Sequence, residues 1–446
     1  MDPNMNLFQT HFPPAEFAAR RASVFDALGG AAAVVQGGPE VRGFEVFRQT
    51  NEFYYLCGVE VPHSYLLLDG RDRRTTLFLP ERDPSQSASE GESLADRDET
   101  TVCATTGVDS VCRVGALLTH LKDARTLYVP HSPAEGRAMC RDTLRHANRT
   151  AAADPWDSST SREGRFLDLL RTRVPGAEIC DLSPALDALR VLKSPAEVAL
   201  IRRASELCGR AVLAAMRATK PGVWEYQLGA LASYQYESSG AQGEGYRAII
   251  AGGENAWNAH YFRNGCVLND GDLVLMDHAP DCGYYTSDIG RMWPVNGTYS
   301  PLQCELYGFV VEYHKALLKR IRPGAMAAQV HAEAAEEMTA VVERWSFSKP
   351  LYEAAARRML EFQGPLSHSV GMAVHDVGDY KPGPLEPGMV FAIDPQMWVP
   401  EEKLYLRCED TVVVTGGGSE NLTGFVPVEL DAVEAVMRED GMLQAR

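Results

Sequence analysis

The sequence lacks several features that mark whole classes of protein. No apolar run approaches the roughly 18 residues of a membrane span, and the opening stretch, MDPNMNLFQTHFPPAEF, has no basic start and no apolar core of a secretory signal. The net charge of −17 disfavours nucleic acid and anionic membranes as partners, because both require Lys and Arg patches. The 10 cysteines are scattered without a C-x-x-C pair, which indicates free thiols. We therefore expect a cytoplasmic protein.

The chain of 446 residues is long enough for two domains. Residues 1–182 are predicted to form a small α/β domain. Within them PAEFAARRASVFDAL is typical of a helix, and four runs are typical of strands: AAAVVQGG, FYYLCGV, SYLLLDG and TTLFLP. The acidic, Ser-rich run from Asp83 to Thr100 has almost no apolar residues and predicts an exposed loop.

Residues 183–446 are predicted to form a second domain of the α+β class. Ser194, Pro195 and Glu197 form the capping box of a long helix that ends before Pro221. Further helices are expected over about 224–239, 301–321 and 325–344, and strands at YRAIIAGG, DLVLMDHA, MVFAIDP and TVVVTG. Helices packed on one antiparallel sheet fit this order.

Pairs of acidic residues occur twice at the ends of apolar runs in this second domain. Asp277 ends one run and Asp288 begins the next, with a glycine-containing turn between them. A hairpin would bring both carboxylates to adjacent strands and onto one face. Asp394 and Glu409 repeat the arrangement. A single Asp at a strand end is usually a turn residue, but two such pairs indicate a shared site.

Histidines lie between the two acidic pairs, on the Gly-rich path GPLSHSVGMAVHDVG, which carries His368 and His375. Four carboxylates close together repel one another unless a cation lies between them. Carboxylates with an imidazole suit two hard or borderline ions such as Mn²⁺, Co²⁺ or Zn²⁺. Such pairs of ions activate water for hydrolysis. The pattern therefore predicts a dinuclear metal site.

These segments resemble the pita-bread metallopeptidases, in the branch of aminopeptidase P and prolidase. The resemblance is carried by GDLVLMDHAPDCGYYTSDIGRMWPVNG, LSHSVGMAVHDVG, PGMVFAIDP and YLRCEDTVVVT. It extends to LRVLKSPAEVALIRRA, AGGENAWNAHY and FRQTNEFYYLCGVEVPHSYLLL, and so to nearly the whole chain. It implies a pita-bread catalytic domain behind a creatinase-like α/β domain. The first domain would narrow access and supply the contacts of a homodimer or a dimer of dimers.

The resemblance also implies a role for each matched position. Two divalent ions, Mn²⁺ by preference, would be held by five side chains: Asp277, Asp288, His368, Asp394 and Glu409. Asp288 and Glu409 would bridge the ions. Arg407 would stand near the bridging carboxylate.

The implied reaction is hydrolysis of the amide bond that precedes proline in short peptides. The catalytic residues would be His260, His375, Asp394 and Glu409. The two histidines would face the substrate and stabilise the tetrahedral intermediate. Asp394 or Glu409 would pass a proton to the leaving nitrogen.

The sequence departs from the family pattern at several positions. The family normally has Glu where this chain has Asp394, which retracts the carboxylate by about 1.5 Å, one carbon–carbon bond. The Pro-Gly that follows is replaced by Pro395-Gln396. Gly290 stands where the family tends to have Thr, and Gly364 where a histidine is often found.

Three alternatives remain open at the level of sequence. One is a dipeptidase of the prolidase type, and another is a hydrolase of small non-peptide amides, as in the creatinase-like branch. The third is a catalytically silent peptide-binding protein on the same fold. Because all five ligand positions keep a side chain that can bind metal, the sequence favours the peptidase.

Overall fold

A computed structural model describes residues 7–41, 45–133, 140–378, 380 and 382–444. The chain divides into two compact units, Met1–Arg190 and Val191–Arg446. The division falls near the end of helix Ser183–Val191, whereas the sequence had suggested a boundary before that helix.

The first unit contains a sheet of six strands: β1 (Ala32–Gln36), β2 (Tyr65–Asp69), β3 (Arg74–Leu79), β4 (Ser110–Arg113), β5 (Thr126–Val129) and β6 (Glu178–Asp181). Its helices are α1 (Pro14–Leu28), α2 (Asn51–Cys57), α3 (Pro84–Glu90), α4 (Glu99–Thr106), α5 (Leu117–Leu121), α6 (Arg141–Ala153), α7 (Arg162–Arg173) and α8 (Ser183–Val191). Short 3-10 turns cover Leu94–Asp96 and Val114–Ala116. The strand order is β4-β3-β2-β1-β5-β6. Strands β1 to β3 are antiparallel, and the outer strands join them in parallel, as expected of an α/β domain.

Two predictions in the first unit were wrong. The run FYYLCGV forms helix α2 rather than a strand, and this helix ends at Gly58, whose φ of 67° is left-handed. Every residue of α2 is buried, and an apolar run buried on all sides has no period that separates helix from strand. The expected loop after Asp83 is largely helical, because Asp83 and Ser93 cap short helical turns.

The second unit contains helices α9 (Pro195–Ala218), α10 (Glu225–Glu237), α11 (Pro301–Leu318), α12 (Ala327–Val342), α13 (Pro350–Leu360) and α14 (Leu430–Met437). Its strands are β7 (Ile249–Gly252), β8 (Leu273–Asp277), β9 (Ile289–Pro294), β10 (Val390–Ile393), β11 (Gln396–Val399), β12 (Leu404–Arg407), β13 (Glu409–Thr415) and β14 (Gly418–Asn421). Short 3-10 turns cover Gly253–Trp257, Pro400–Glu402 and Met442–Gln444.

The second unit is built on one antiparallel sheet of order β10-β13-β9-β8-β7, with β14 paired to β13 and a separate hairpin of β11 and β12. The predicted capping box at the start of α9 is present, with Ser194 and Glu197 bonding each other's backbone N–H groups. Helices α9 to α12 pack on the sheet through one continuous apolar core, which includes Val212, Leu228 and Phe309. The predicted α+β class of this unit is confirmed.

Two further observations concern the chain as a whole. Among the described residues, no helix is both long and apolar enough to span a lipid bilayer. All ten cysteines are free thiols, and five of them are buried.

Candidate metal centre

The four acidic residues singled out in the sequence lie side by side across four neighbouring strands. Asp277 on β8 pairs with Gly290 on β9, and Gly290 pairs with Glu409 on β13. On β10, Ile393 pairs with Asp410, so that the next residues of these antiparallel strands, Asp394 and Glu409, also face each other. The register therefore creates a transverse row of carboxylates on one face of the sheet.

Asp288 joins this row from the start of β9. It lies two residues before Gly290, and residues two apart in a strand point to the same face. The His368 imidazole comes close as well, with its Nε2 atom 3.4 Å from Asp288 Oδ2 and 3.8 Å from Glu409 Oε1. Potential ligand atoms of Asp288, His368 and Glu409 all lie within 4.8 Å of one another. These three side chains thus form the tightest part of the site.

The guanidinium of Arg407 occupies the centre of the acidic row. Its Nη2 atom contacts Asp277 Oδ2, while Nη1 lies 3.5 Å from Asp394 Oδ2 and 3.3 Å from Glu409 Oε2. The sequence had suggested that Arg407 stands near one bridging carboxylate. The structure brings it against three carboxylates, so this cation partly balances their charge.

Tyr246 is a site residue that sequence reasoning missed. Its hydroxyl lies 2.5 Å from Asp277 Oδ1 and 2.9 Å from Asp288 Oδ1, and it can donate to either carboxylate. Tyr246 precedes strand β7, in which Ile249 pairs with Asp277. A tyrosine just before a predicted strand could have indicated a site residue. The sequence did not show, however, that this strand pairs with the strand of Asp277.

The carboxylates of the row are buried and repel one another, so their ionised forms need a positive charge nearby. Burial, and then the charge of Asp277, raises the pKa of Asp288 well above its usual range. Burial and the charge of Asp288 do the same to the pKa of Glu409. For Asp277 burial also opposes ionisation, but Arg407 and Tyr246 outweigh it and lower the pKa.

Several oxygen atoms of the row are buried without a hydrogen-bond donor. Within the described parts of the chain, Asp394 Oδ1 and both carboxylate oxygens of Glu409 receive no hydrogen bond. Desolvation inside the site, together with nearby His375, lowers the pKa of His368 to about 3, so its imidazole is neutral and can bind metal. Free carboxylate oxygens and a neutral imidazole are the donor set that divalent cations require. The residues therefore fit the metal ions that the family resemblance implies.

The two histidines expected to face the substrate extend outward from this donor set. The rings of His368 and His375 lie 4.2 Å apart, and those of His375 and His260 lie 6.0 Å apart. His260 also stacks on Phe262. The structure thus brings the three predicted imidazoles together beside the acidic row.

The segment that carries His260 is anchored by a buried carboxylate that sequence reasoning missed. Glu225 is fully buried at the start of α10. It accepts hydrogen bonds from four donors, the N–H groups of Gly252 and Cys266 and the side chains of Asn255 and Tyr261. Because these donors flank His260 on both sides, Glu225 fixes the position of that loop.

His278, next to Asp277, turns away from the acidic row. It is fully buried and packs against the rings of Tyr236 and Tyr246. Burial lowers its pKa to about 4, so the imidazole is neutral. His278 is therefore a packing residue rather than a candidate ligand.

A cavity of about 670 Å³ opens beside His368 and Asp394. Its walls are largely apolar, from Tyr313, Met359, Phe362, Leu366 and Trp398. A pocket of this size and lining, next to a donor set for metal, suits a small apolar group of a substrate.

Both units match known families. Residues 199–416 match metallopeptidase family M24, and residues 17–128 match the N-terminal domain of aminopeptidase P. The chain is 31% identical to the Xaa-Pro aminopeptidase of Escherichia coli, in an alignment that covers 95% of this chain and 97% of that protein. It is 30% identical to the Xaa-Pro aminopeptidase of Haemophilus influenzae, over 88% of each chain.

Solved structures give the same result. Zinc-substituted aminopeptidase P of E. coli, in complex with product, matches with a TM-score of 0.78 and 28% identity, over 96% of this chain and 99% of that chain. Proline aminopeptidase P II from Yersinia pestis matches with a TM-score of 0.77 and 30% identity, with the same coverage. The chain therefore belongs to metallopeptidase family M24, in its aminopeptidase P branch, and is a hydrolase that uses divalent metal ions.

Proposed function

We propose that this chain is an Xaa-Pro aminopeptidase, which hydrolyses the amide bond before proline in short peptides. Two divalent ions would be held by Asp277, Asp288, His368, Asp394 and Glu409. The observation that carries the proposal is the row of carboxylates across four adjacent strands, with His368 against it. The aminopeptidase names of the relatives support the substrate class.

The chemistry of the reaction is divided between the ions and the protein. When bound, the ions would supply Lewis-acid activation of water and of the scissile carbonyl. The carboxylate of Asp394 or Glu409 takes the proton of the attacking water and passes it to the leaving proline nitrogen. Burial raises the pKa of both carboxyl groups, which suits residues that hold a proton transiently.

His260 and His375 act on the oxygen of the scissile carbonyl group. The ring of His375 lies close to that of His368 and the ring of His260 close to that of His375, and both would donate hydrogen bonds to the oxygen that becomes negative in the transition state. The bond before proline is a tertiary amide without an N–H group. Recognition therefore depends on the shape of the proline ring, and the apolar cavity beside Asp394 offers such a surface.

The metal assignment is tested by metal analysis of the purified protein after incubation with Mn²⁺. We expect close to two ions per chain for the wild type and fewer for Asp288→Asn. The control is Asp270→Asn, an exposed carboxylate that bonds Asn296 outside the row. A wild-type content near zero in metal-replete buffer would rule out the proposed centre.

The substrate assignment is tested by comparing Xaa-Pro dipeptides with Xaa-Pro-Yaa tripeptides, with Xaa-Ala-Yaa tripeptides as controls. An aminopeptidase should release the first residue from the proline tripeptides. Cleavage of the dipeptides alone would identify a dipeptidase instead. No cleavage of any peptide by a metal-loaded chain would favour the hydrolase of other amides or the silent binder.

The remaining expectations belong to the same proposal. We propose Mn²⁺ as the native metal, a cytoplasmic location, and a homodimer or dimer of dimers formed through residues 1–182. The ten free cysteines support a reducing compartment. Light scattering of the eluted protein measures the mass of the assembly, and competition between Mn²⁺, Co²⁺ and Zn²⁺ tests the metal.

A further inference from the structure

Gln396 is in contact with the one acidic side chain of the row that is shorter than the family pattern. Its Nε2 atom donates a hydrogen bond to Oδ2 of Asp394, two residues earlier. The Asp394 side chain is 3% exposed, so this bond forms in a nearly dry environment. The sequence departs from Glu-Pro-Gly at both ends of this tripeptide, losing a methylene at 394 and gaining an amide side chain at 396.

The orientation of the Gln396 amide is fixed by a second residue. Trp398 Nε1 lies 3.2 Å from Gln396 Oε1. An indole N–H can only donate, so the amide oxygen must face Trp398 and the amide NH₂ must face Asp394. The Trp398 ring is held in turn by Tyr405, at 4.2 Å between ring centres, and by Trp257, at 5.2 Å.

The register of the β11–β12 hairpin brings a second donor to the same oxygen. Gln396 pairs with Arg407 across this hairpin, and Arg407 Nη1 lies 3.5 Å from Asp394 Oδ2. The Oδ2 atom is therefore held from two sides, by an amide and by a guanidinium. The other oxygen, Oδ1, is buried and receives no hydrogen bond from the described residues.

We propose that Gln396 is a positioning residue that holds Oδ2 of Asp394 and so presents Oδ1 to the metal ions. The inference rests on the proposed function, because it assumes that Asp394 is a ligand. A long Glu side chain reaches the ions by its own length. The shorter Asp reaches less far, so its orientation must be imposed, and the amide of Gln396 imposes it.

The central experiment removes the amide while keeping the bulk of the side chain. Gln396→Met retains the length and the β-carbon of Gln396 but cannot donate to Asp394. We expect calorimetric titration of the metal-free protein to show weaker Mn²⁺ binding for one of the two ions. Loss of a hydrogen bond to a charged group corresponds to roughly 10- to 100-fold in affinity. The electron paramagnetic resonance spectrum of bound Mn²⁺ should change from that of a coupled pair toward that of a single ion.

A double-mutant cycle tests whether positions 394 and 396 act as a unit. Asp394→Glu alone should bind Mn²⁺ more weakly, because the added methylene pushes the carboxylate into the Gln396 amide and Arg407. Gln396→Gly alone should also bind more weakly. The double variant, with Glu at 394 and Gly at 396, restores the family combination and should recover affinity to within about threefold of the wild type. Independent roles would instead make the two losses add.

Metal binding by the wild type and by Gln396→Met distinguishes a failure of the positioning role from a failure of the proposed metal centre. If the wild type binds two ions and Gln396→Met binds them equally well with the same spectrum, the positioning role is wrong and the metal centre stands. If the wild type binds no Mn²⁺, the metal centre and this inference both fail. Should Gln396→Met not fold, Trp398→Phe tests the same contact, because it keeps the ring and removes the N–H. We then expect a smaller loss in the same direction, and unchanged binding would overturn the role.

Discussion

The roles of the three histidines beside the acidic row can be assigned from the groups that surround each imidazole. His368 reaches two carboxylates within 4 Å, whereas the ring of His375 lies 4.2 Å from that of His368 and the ring of His260 lies 6.0 Å from that of His375. An imidazole next to two carboxylates is suited to bind the ion between them. Imidazoles set behind it are suited to hydrogen bonding with a substrate.

We therefore predict that His260→Ala and His375→Ala keep their metal and lose activity. Removing one donor to a developing oxyanion typically costs about 100- to 1000-fold in turnover. The measurement is metal content alongside kcat, and His146→Ala, on the surface of α6, serves as the control. Loss of metal from either variant would make that histidine a ligand and contradict its assigned role.

His314 is a buried histidine that lies behind the acidic row. Its imidazole is fully buried, with Nε2 3.1 Å from Asp410 Oδ2, and Asp410 also bonds Arg291. Burial alone would lower the pKa of His314, but its interactions with Cys408 and Asp410 outweigh burial and raise the pKa to about 10. The folded protein thus holds this imidazole in its charged form across the neutral range.

Because the pKa of His314 is higher in the folded chain than in the unfolded one, its contribution to stability is complete below about pH 6.5. That contribution should be lost as pH rises toward 10. We expect the free energy of unfolding of the wild type to fall more steeply between pH 7 and 9 than that of His314→Gln. The difference is at most about 1.4 kcal/mol per pH unit. Urea unfolding at several pH values measures it, and parallel pH profiles for the two proteins would refute the charged state.

The site also depends on how closely strands β9 and β13 approach each other. Gly290 lies where these two antiparallel strands pair, between Asp277 and Glu409 in the transverse row. A β-carbon at this position would lie 3.0 Å from both Cβ and Oε2 of Glu409, and 3.3 Å from Nε of Arg407. The glycine that departs from the family pattern therefore makes room for the observed Glu409 and Arg407 side chains.

We predict that Gly290→Thr weakens metal binding, although Thr is the residue that the family tends to have here. The added side chain would displace the Glu409 carboxylate, and we expect a loss of at least about tenfold, or roughly 1.4 kcal/mol. Calorimetric titration with Mn²⁺ measures the change. Gly115→Thr, where a β-carbon meets nothing within 4 Å, is the matched control. Equal or tighter binding by Gly290→Thr would show that Glu409 and Arg407 have space to move.

The charge pattern of the chain couples metal binding to the stability of the fold. The chain has a net charge of −17, and the acidic row places the side chains of four carboxylates out of contact with most solvent. The guanidinium of Arg407 meets three of these carboxylates. Ions that bind the folded chain and not the unfolded chain must raise the temperature of unfolding.

We predict that removal of metal by a chelator lowers the melting temperature, and that Mn²⁺ restores it. At an ion concentration 100 times the dissociation constant, the stabilisation is about 2.7 kcal/mol. Differential scanning calorimetry measures the shift. The variant Asp288→Asn should respond much less to the chelator, and an equal response would mean that the ions bind elsewhere.

Features that depend on neighbouring residues could be read from the sequence alone. The capping box of Ser194 and Glu197 is a local pattern, and so are the strand ends at Asp277 and Asp394. The α+β class of the second unit followed from the order of its elements. The residue types at the five candidate ligand positions were also visible, because acids at the ends of apolar runs stand out against their surroundings.

The contacts that those side chains make became evident only in the folded chain. The contacts of Arg407 with Asp277 and of Tyr246 with Asp288 join residues 130 and 42 positions apart, and no local pattern encodes such pairs. Helix α2 was missed because uniform burial erases the period by which helix and strand differ. Gln396 lies only two residues from Asp394, yet its contact depends on Trp398 and on the hairpin register. The sequence fixes which groups are available, and packing fixes which of them touch, because hydrogen bonds depend on distances that only the folded chain sets.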